Sequence, residues 1–135
     1  MNKDFLKSPF PPDLADLSPK EGPDLAANSR AYGFVVLELD GARMKSKPAL
    51  MKHAAQALAF PGDFGENWDA LVDYLGDLAN VRNKDKILVF IRNSREILAA
   101  DPRLYSELRN ACALACENAR EWSRNSVILK FAFMP

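Results

Sequence analysis

The chain has 135 residues and a mass of 15.0 kDa, the size of one domain with a single hydrophobic core. Its 18 Lys and Arg balance its 18 Asp and Glu, and 48% apolar with 27% charged residues is the make-up of an ordinary soluble globular protein. This neutrality argues against nucleic acid or a membrane as the main partner, because both call for a basic surface; with no apolar run long enough to span a bilayer and no apolar signal-peptide core at the N-terminus, a cytoplasmic protein is expected.

Residues 1–30 carry five of the nine prolines (Pro9, Pro11, Pro12, Pro19 and Pro23) and little periodicity. Such a segment reads as a mobile arm or an irregular strap, without a long helix or a central strand. Phe5, Leu6, Phe10, Leu14 and Leu17 favour partial docking. The pattern sharpens over 31–135. Tyr32 to Leu39 is an apolar run that ends at the turn signal Asp40-Gly41. Ser46, followed by Lys47-Pro48, starts a helix with Leu50, Met51, Ala54, Ala55 and Leu58 on its core side, stopping before Pro61.

The stretch from Phe60 to Asn80 contains Asp63, Glu66, Asp69, Asp73 and Asp77 and no Lys or Arg, so the remainder of a neutral chain holds all the positive charge. Asn67 is a good N-cap for a helix here. At about 100° per residue, Trp68, Leu71, Leu75 and Leu78 share one side, flanked by Val72 and Tyr74. Asp69, Asp73 and Asp77 follow at four-residue steps on roughly the opposite side. The apolar side faces the core, so the acidic stripe faces outward. Like charges at i, i+4 cost an isolated helix a few tenths of a kcal/mol per pair. A stripe that weakens its own helix suggests a purpose outside the fold.

Lys86 to Ile91 reads as a second strand. Ser94 caps a short helix, and Asp101-Pro102 opens the longest helix, with a stripe of Leu104, Leu108, Ala111, Cys112, Ala115, Ala119 and Trp122. Val127 to Phe133 is the third strand. Apolar strands separated by helices predict a parallel sheet. Glu38 and Lys130 interrupt two of the runs, which suits helices mainly on one face. The expected fold is therefore a small two-layer α/β domain with a three-stranded parallel sheet.

Signals for catalysis are thin. His53 is the only histidine and lies off its helix's apolar stripe, as a surface residue would. Cys112 and Cys116, four apart on one helix with no further Cys or second His, read as core thiols rather than a zinc site or a disulfide. No glycine-rich phosphate cradle occurs. A helical face of acids rarely surrounds a cation without a loop. A metal-dependent hydrolase using Asp69 and Asp73 is a weak rival, and neither cofactor, metal nor enzymatic activity is expected.

The run Phe64-Gly65-Glu66-Asn67-Trp68-Asp69-Ala70-Leu71-Val72-Asp73-Tyr74-Leu75 resembles the central motif of the barstar family, intracellular inhibitors of the ribonuclease barnase. There the pattern is an aromatic, Gly-Glu-Asn, a large apolar residue, Asp-Ala-Leu, usually Trp, then Asp and, one residue on, Leu. The resemblance covers about 31–133. It implies a fold of three parallel strands with helices on one side, and an acidic helix and preceding loop that plug a ribonuclease active site. The contact positions it implies are Asp63, Asn67, Trp68, Asp69, Val72 and Asp73, with Asp77 completing the outward stripe. Asp73 would stand where an RNA phosphate sits, and Asp69 would pair with an adjacent base. Val72 stands where the family usually has Trp, and Asp63 where it has an aromatic. The family's second acidic contact, on the last long helix, is replaced by Ala119 and Ser123, with Glu117 and Glu121 nearby. These departures point to a ribonuclease other than barnase, or another basic toxin domain, bound by a monomer acting as antitoxin or immunity protein. The alternative is a non-inhibitory module that docks on a basic protein through the same helix.

Overall fold

A computed structural model describes residues 4–135; the first three residues of the proline-rich segment lie outside it. In chain order the elements are α1 (Asp4–Lys7), β1 (Leu14–Asp16), α2 (Glu21–Ala31), β2 (Val35–Asp40), a 3₁₀ turn (Gly41–Arg43), α3 (Lys47–Ala57), α4 (Trp68–Gly76), α5 (Leu78–Arg82), β3 (Lys86–Arg92), α6 (Ser94–Ala100), α7 (Pro102–Ser123) and β4 (Ile128–Phe133). The strands form one parallel sheet in the order β1-β4-β3-β2.

The parallel α/β architecture is the one the sequence predicts, but the sheet has four strands rather than three. The extra strand, β1, pairs Leu14 with Phe131 and Asp16 with Phe133 at one edge, the position where a proline-flanked strand is tolerated. Pro23 falls in the first turn of α2, where its missing N–H loses no helical bond. Tyr32, expected in the first strand of the sharper pattern, instead ends α2, and Gly33 turns the chain at φ +86°.

Both sheet faces are covered. On one, Leu39, Ile87, Val89, Ile91, Leu129, Phe131 and Phe133 pack against residues from α3 to α7. On the other, Leu88, Phe90, Ile128 and Ala132 lie beneath Phe5, Leu6 and Leu25. Alternation along β4 places Lys130 on this second face, between Ile128 and Ala132, where it is fully buried. It does not open that face to water. Its ammonium donates to the carbonyls of Phe10 (2.8 Å) and Pro12 (2.7 Å), with the Asp13 carboxylate at 3.8 Å. Arg120 adds bonds to Asp13 (2.6 Å) and the Pro9 carbonyl (3.1 Å). Burial pulls the Lys130 pKa down while Asp13 pushes it up. A buried cation needs such partners, and the irregular backbone of residues 9–13 supplies them.

The turn after β2 shows why Asp40-Gly41 ends the strand. Asp40 accepts from the Asn93 amide (2.9 Å) and, with less effect, the Ala42 N–H (3.0 Å), which hold its carboxyl below the usual aspartate range. A side chain at Gly41 would collide with the backbone of Arg92 and Asn93.

His53, expected at the surface, is half-buried, and its Nε2 accepts the Asp40 N–H at 2.8 Å. Its Nδ1 is buried without a partner. Burial, then Arg43, lowers its pKa, so the ring is held neutral. An unfolded histidine titrates near about pH 6.5 and takes up a proton that the folded ring resists. The stability from the neutral ring is therefore complete above that pH and is lost as pH falls through the lower folded value. Urea midpoints measured at about pH 7.5 and about pH 5.5 are expected to fall further for the native chain than for His53→Gln. Parallel falls would assign the slope to other groups.

Candidate functional site

The acidic helix begins as its sequence predicts. Asn67 is the N-cap of α4, its Oδ1 accepting from the Ala70 N–H at 2.8 Å, which satisfies one of the free donors of the first turn. Leu71 and Leu75 are fully buried, and Trp68 and Val72 are half-buried against the same core. This anchoring turns the other side of α4 to solvent: Asp69 and Asp73 are exposed and Asp77 is half-exposed.

The helix does not run on through Asp77 as the periodicity implies. Asp77 has φ −101° and ψ 2°, its N–H is shared between the carbonyls of Asp73 (3.1 Å) and Tyr74 (3.3 Å), and α5 starts at Leu78. Asp77 thus lies at the C-terminal end of α4, where the helix dipole disfavours an anion, and its side chain caps neither helix.

The loop before α4 is tied down by aromatic packing. Tyr74 stacks on Phe60 (centroids 5.1 Å apart) and meets Phe64 edge-on at 5.5 Å, while Phe60 and Phe64 are 5.1 Å apart. The Tyr74 hydroxyl donates to Asp63 at 2.8 Å, and this bond, followed by burial and the charges of Asp63 and Asp73, raises the phenol pKa. Ala59 (φ 56°) and Glu66 (φ 51°) both adopt the left-handed conformation, bracketing the loop. Asp63 and Asn67 therefore lie at the entrance to α4, with Asp63 held by Tyr74, while Trp68 and Val72 lie toward the core side.

Among the described residues, no Lys or Arg comes within ion-pairing distance of Asp63, Glu66, Asp69, Asp73 or Asp77. The arginines of α7 are engaged elsewhere: Arg120 holds Asp13, Arg109 holds Asp16 at 2.7 and 3.1 Å, and Arg103 lies 3.7 Å from Glu107. With respect to the described residues, the acidic face is an uncompensated anionic surface on a helix anchored in the core by Leu71 and Leu75.

The periodicity of α7 misassigned Trp122 to the core. It is 48% exposed, and its indole N–H donates to the Gly76 carbonyl at 2.8 Å. With Asp73, Tyr74, Gly76, Asp77 and Asn118 it lines a groove of about 300 Å³ between α4 and α7. The one signal in the sequence is its place in the last turn, flanked by Glu121 and Ser123, where a helix leaves its core. Ala119 is buried and Ser123 half-buried, whereas Glu117 and Glu121 are exposed.

The remaining reactive groups form no second site. Cys112 and Cys116 are free and buried, with Cys116 donating to the Leu129 carbonyl at 3.1 Å, and burial pushes both thiols far up. Among the described residues no group of His, Cys, Asp and Glu is placed to hold a metal ion, and no helix is long and apolar enough to cross a membrane.

A family model described as barstar (barnase inhibitor) matches residues 34–132, more than half of the chain and including α4 and the groove. No curated protein gives a significant match.

Proposed function

The chain belongs to the barstar family, and from that premise we propose that it inhibits a ribonuclease or similar basic toxin domain by covering the active site with the acidic face of α4 and the loop before it. The observation that carries this reading is the exposure of Asp69 and Asp73 on a core-anchored helix with no Lys or Arg among the described residues paired to them. An enzyme that cleaves RNA presents a concave basic site, and a convex acidic helix complements it in shape and sign. Asp73 takes the place of a phosphate among the enzyme's cations, Asp69 and Asp77 extend the anionic stripe, Trp68 and Val72 pack beside it, and Asp63 and Asn67 border the entrance. The chain performs no catalysis; as an antitoxin it protects cytoplasmic RNA by occupying the enzyme.

The test is a titration of the purified chain into a panel of microbial ribonucleases acting on a fluorogenic RNA. One enzyme is expected to be inhibited at one-to-one stoichiometry, with association slowing steeply as salt rises from about 0.05 to about 0.5 M. Undiminished RNA cleavage across the panel, together with stable binding to a basic protein, would support instead the non-inhibitory docking module. Buried Ala119, where the family has an acidic contact, is the feature that keeps that second reading in view.

A further inference from the structure

Beside α4, Trp122 stands at an exposed site yet is fixed in orientation. Its indole N–H bonds a carbonyl at the C-terminal end of α4, where backbone acceptors run out of helical donors. Gly76 lets α4 and α7 pack closely beside it: a Cβ there would lie 3.2 Å from the Ala115 carbonyl oxygen and 3.4 Å from the Asn118 Cβ. The ring therefore forms a pre-oriented aromatic wall rather than a mobile surface side chain.

Trp122 borders two grooves. The one shared with α4, about 300 Å³, has Asp73 and Asp77 along it, the Asn118 amide, and no Lys or Arg among the described residues. The one on its other side, about 360 Å³, contains Lys84 beside Asp85. The first joins the ring to Asp73 and Asp77, which pair with no Lys or Arg among the described residues, whereas the second has a lysine among its own lining residues.

We infer that this first groove receives an arginine side chain of the basic partner, its guanidinium lying over the Trp122 ring while its edge donors bond toward Asp73 and Asp77. The inference rests on the inhibitor reading above and adds to it a second anchor, beyond the aspartate stripe. A guanidinium is planar and weakly hydrated, so it stacks on an indole and still directs N–H donors sideways to carboxylates. An ammonium is compact and strongly hydrated and does not combine the two contacts as well. Because the ring is already ordered, binding gives up little side-chain freedom, as at aromatic anchors of tight interfaces.

The experiment titrates the full ¹⁵N-labelled chain with N-acetyl-Arg-Arg-amide and, separately, N-acetyl-Lys-Lys-amide, reading the Trp122 indole N–H and the backbone amides of Asp77 and Asn118. The arginine peptide is expected to shift these signals saturably and to bind about fivefold tighter than the lysine peptide. Trp122→Leu is expected to weaken it about fivefold, Trp122→Phe less, and Asp24→Asn, on α2, less than about twofold. Equal binding of both peptides, shifts spread evenly along the acidic face, or undiminished binding by Trp122→Leu would each overturn the inference. If Trp122→Leu does not fold, the peptide ratio and the map of shifts on the unaltered chain decide it. Peptide binding without inhibition of any ribonuclease removes the inhibitor reading and leaves the arginine receptor. Inhibition that Trp122→Leu leaves unchanged does the reverse.

Discussion

Asp73→Ala is expected to weaken inhibition of the target ribonuclease roughly thirtyfold or more, with the chain itself no less stable. In the proposed complex Asp73 is desolvated against the enzyme's cations, and removing it strands those charges at a cost of about 2–5 kcal/mol or more. In the free chain Asp73 is exposed and pairs with no cation among the described residues, and it lies four residues from both Asp69 and Asp77. Its loss relieves like-charge repulsion worth a few tenths of a kcal/mol. Inhibition constants and urea midpoints for Asp73→Ala and for Asp24→Ala, an exposed acid on α2, check both halves. The control is expected to move inhibition less than about twofold, because α2 packs on the sheet face opposite α4 and exposed charges are screened by salt. A destabilised Asp73→Ala would make the residue structural, and comparable losses for the two variants would reduce the effect to net charge.

Asp13→Ala is expected to destabilise the fold by about 3 kcal/mol, whereas Asp16→Ala should cost under about 1 kcal/mol. Both acids pair with arginines of α7, but their surroundings differ. The Asp13 side chain is 10% exposed, against 16% for Arg120 and 0% for Lys130. Removing Asp13 leaves two cations in low dielectric with only backbone carbonyls facing them. The Asp16 side chain is 68% exposed, and water replaces its contact with Arg109. The loss should appear first as faster hydrogen exchange at the Phe131 N–H, which bonds the Asp13 carbonyl at 3.0 Å. Equal costs for the two variants would show that the buried cluster is not what secures residues 4–16.

These expectations draw on parts of the protein that differ in how openly the sequence displays them. Asn67 as a cap, Leu71 and Leu75 as the buried side, and Asp69 and Asp73 as the outward side all follow from short-range rules, and the structure contains each of them. The caps Ser46 of α3 and Asp101 of α7 were legible for the same reason: a side-chain oxygen meets an N–H two or three residues ahead. The break at Asp77 was not, because α4 ends where Gly76 closes on α7 rather than where its periodicity fails.

By itself the sequence determined the alternation of helices with apolar strands, the parallel sheet that this alternation demands, and the anionic face of α4, because each depends on residues within a few positions of one another. Only the tertiary structure decided that Trp122 leaves the core to meet Gly76, that His53 serves the backbone of Asp40, and that Lys130 is buried. The partners of Lys130, the carbonyls of Phe10 and Pro12, lie 120 and 118 positions away. A buried charge is tolerable only where such acceptors arrive, and no local pattern records which distant backbone will bring them.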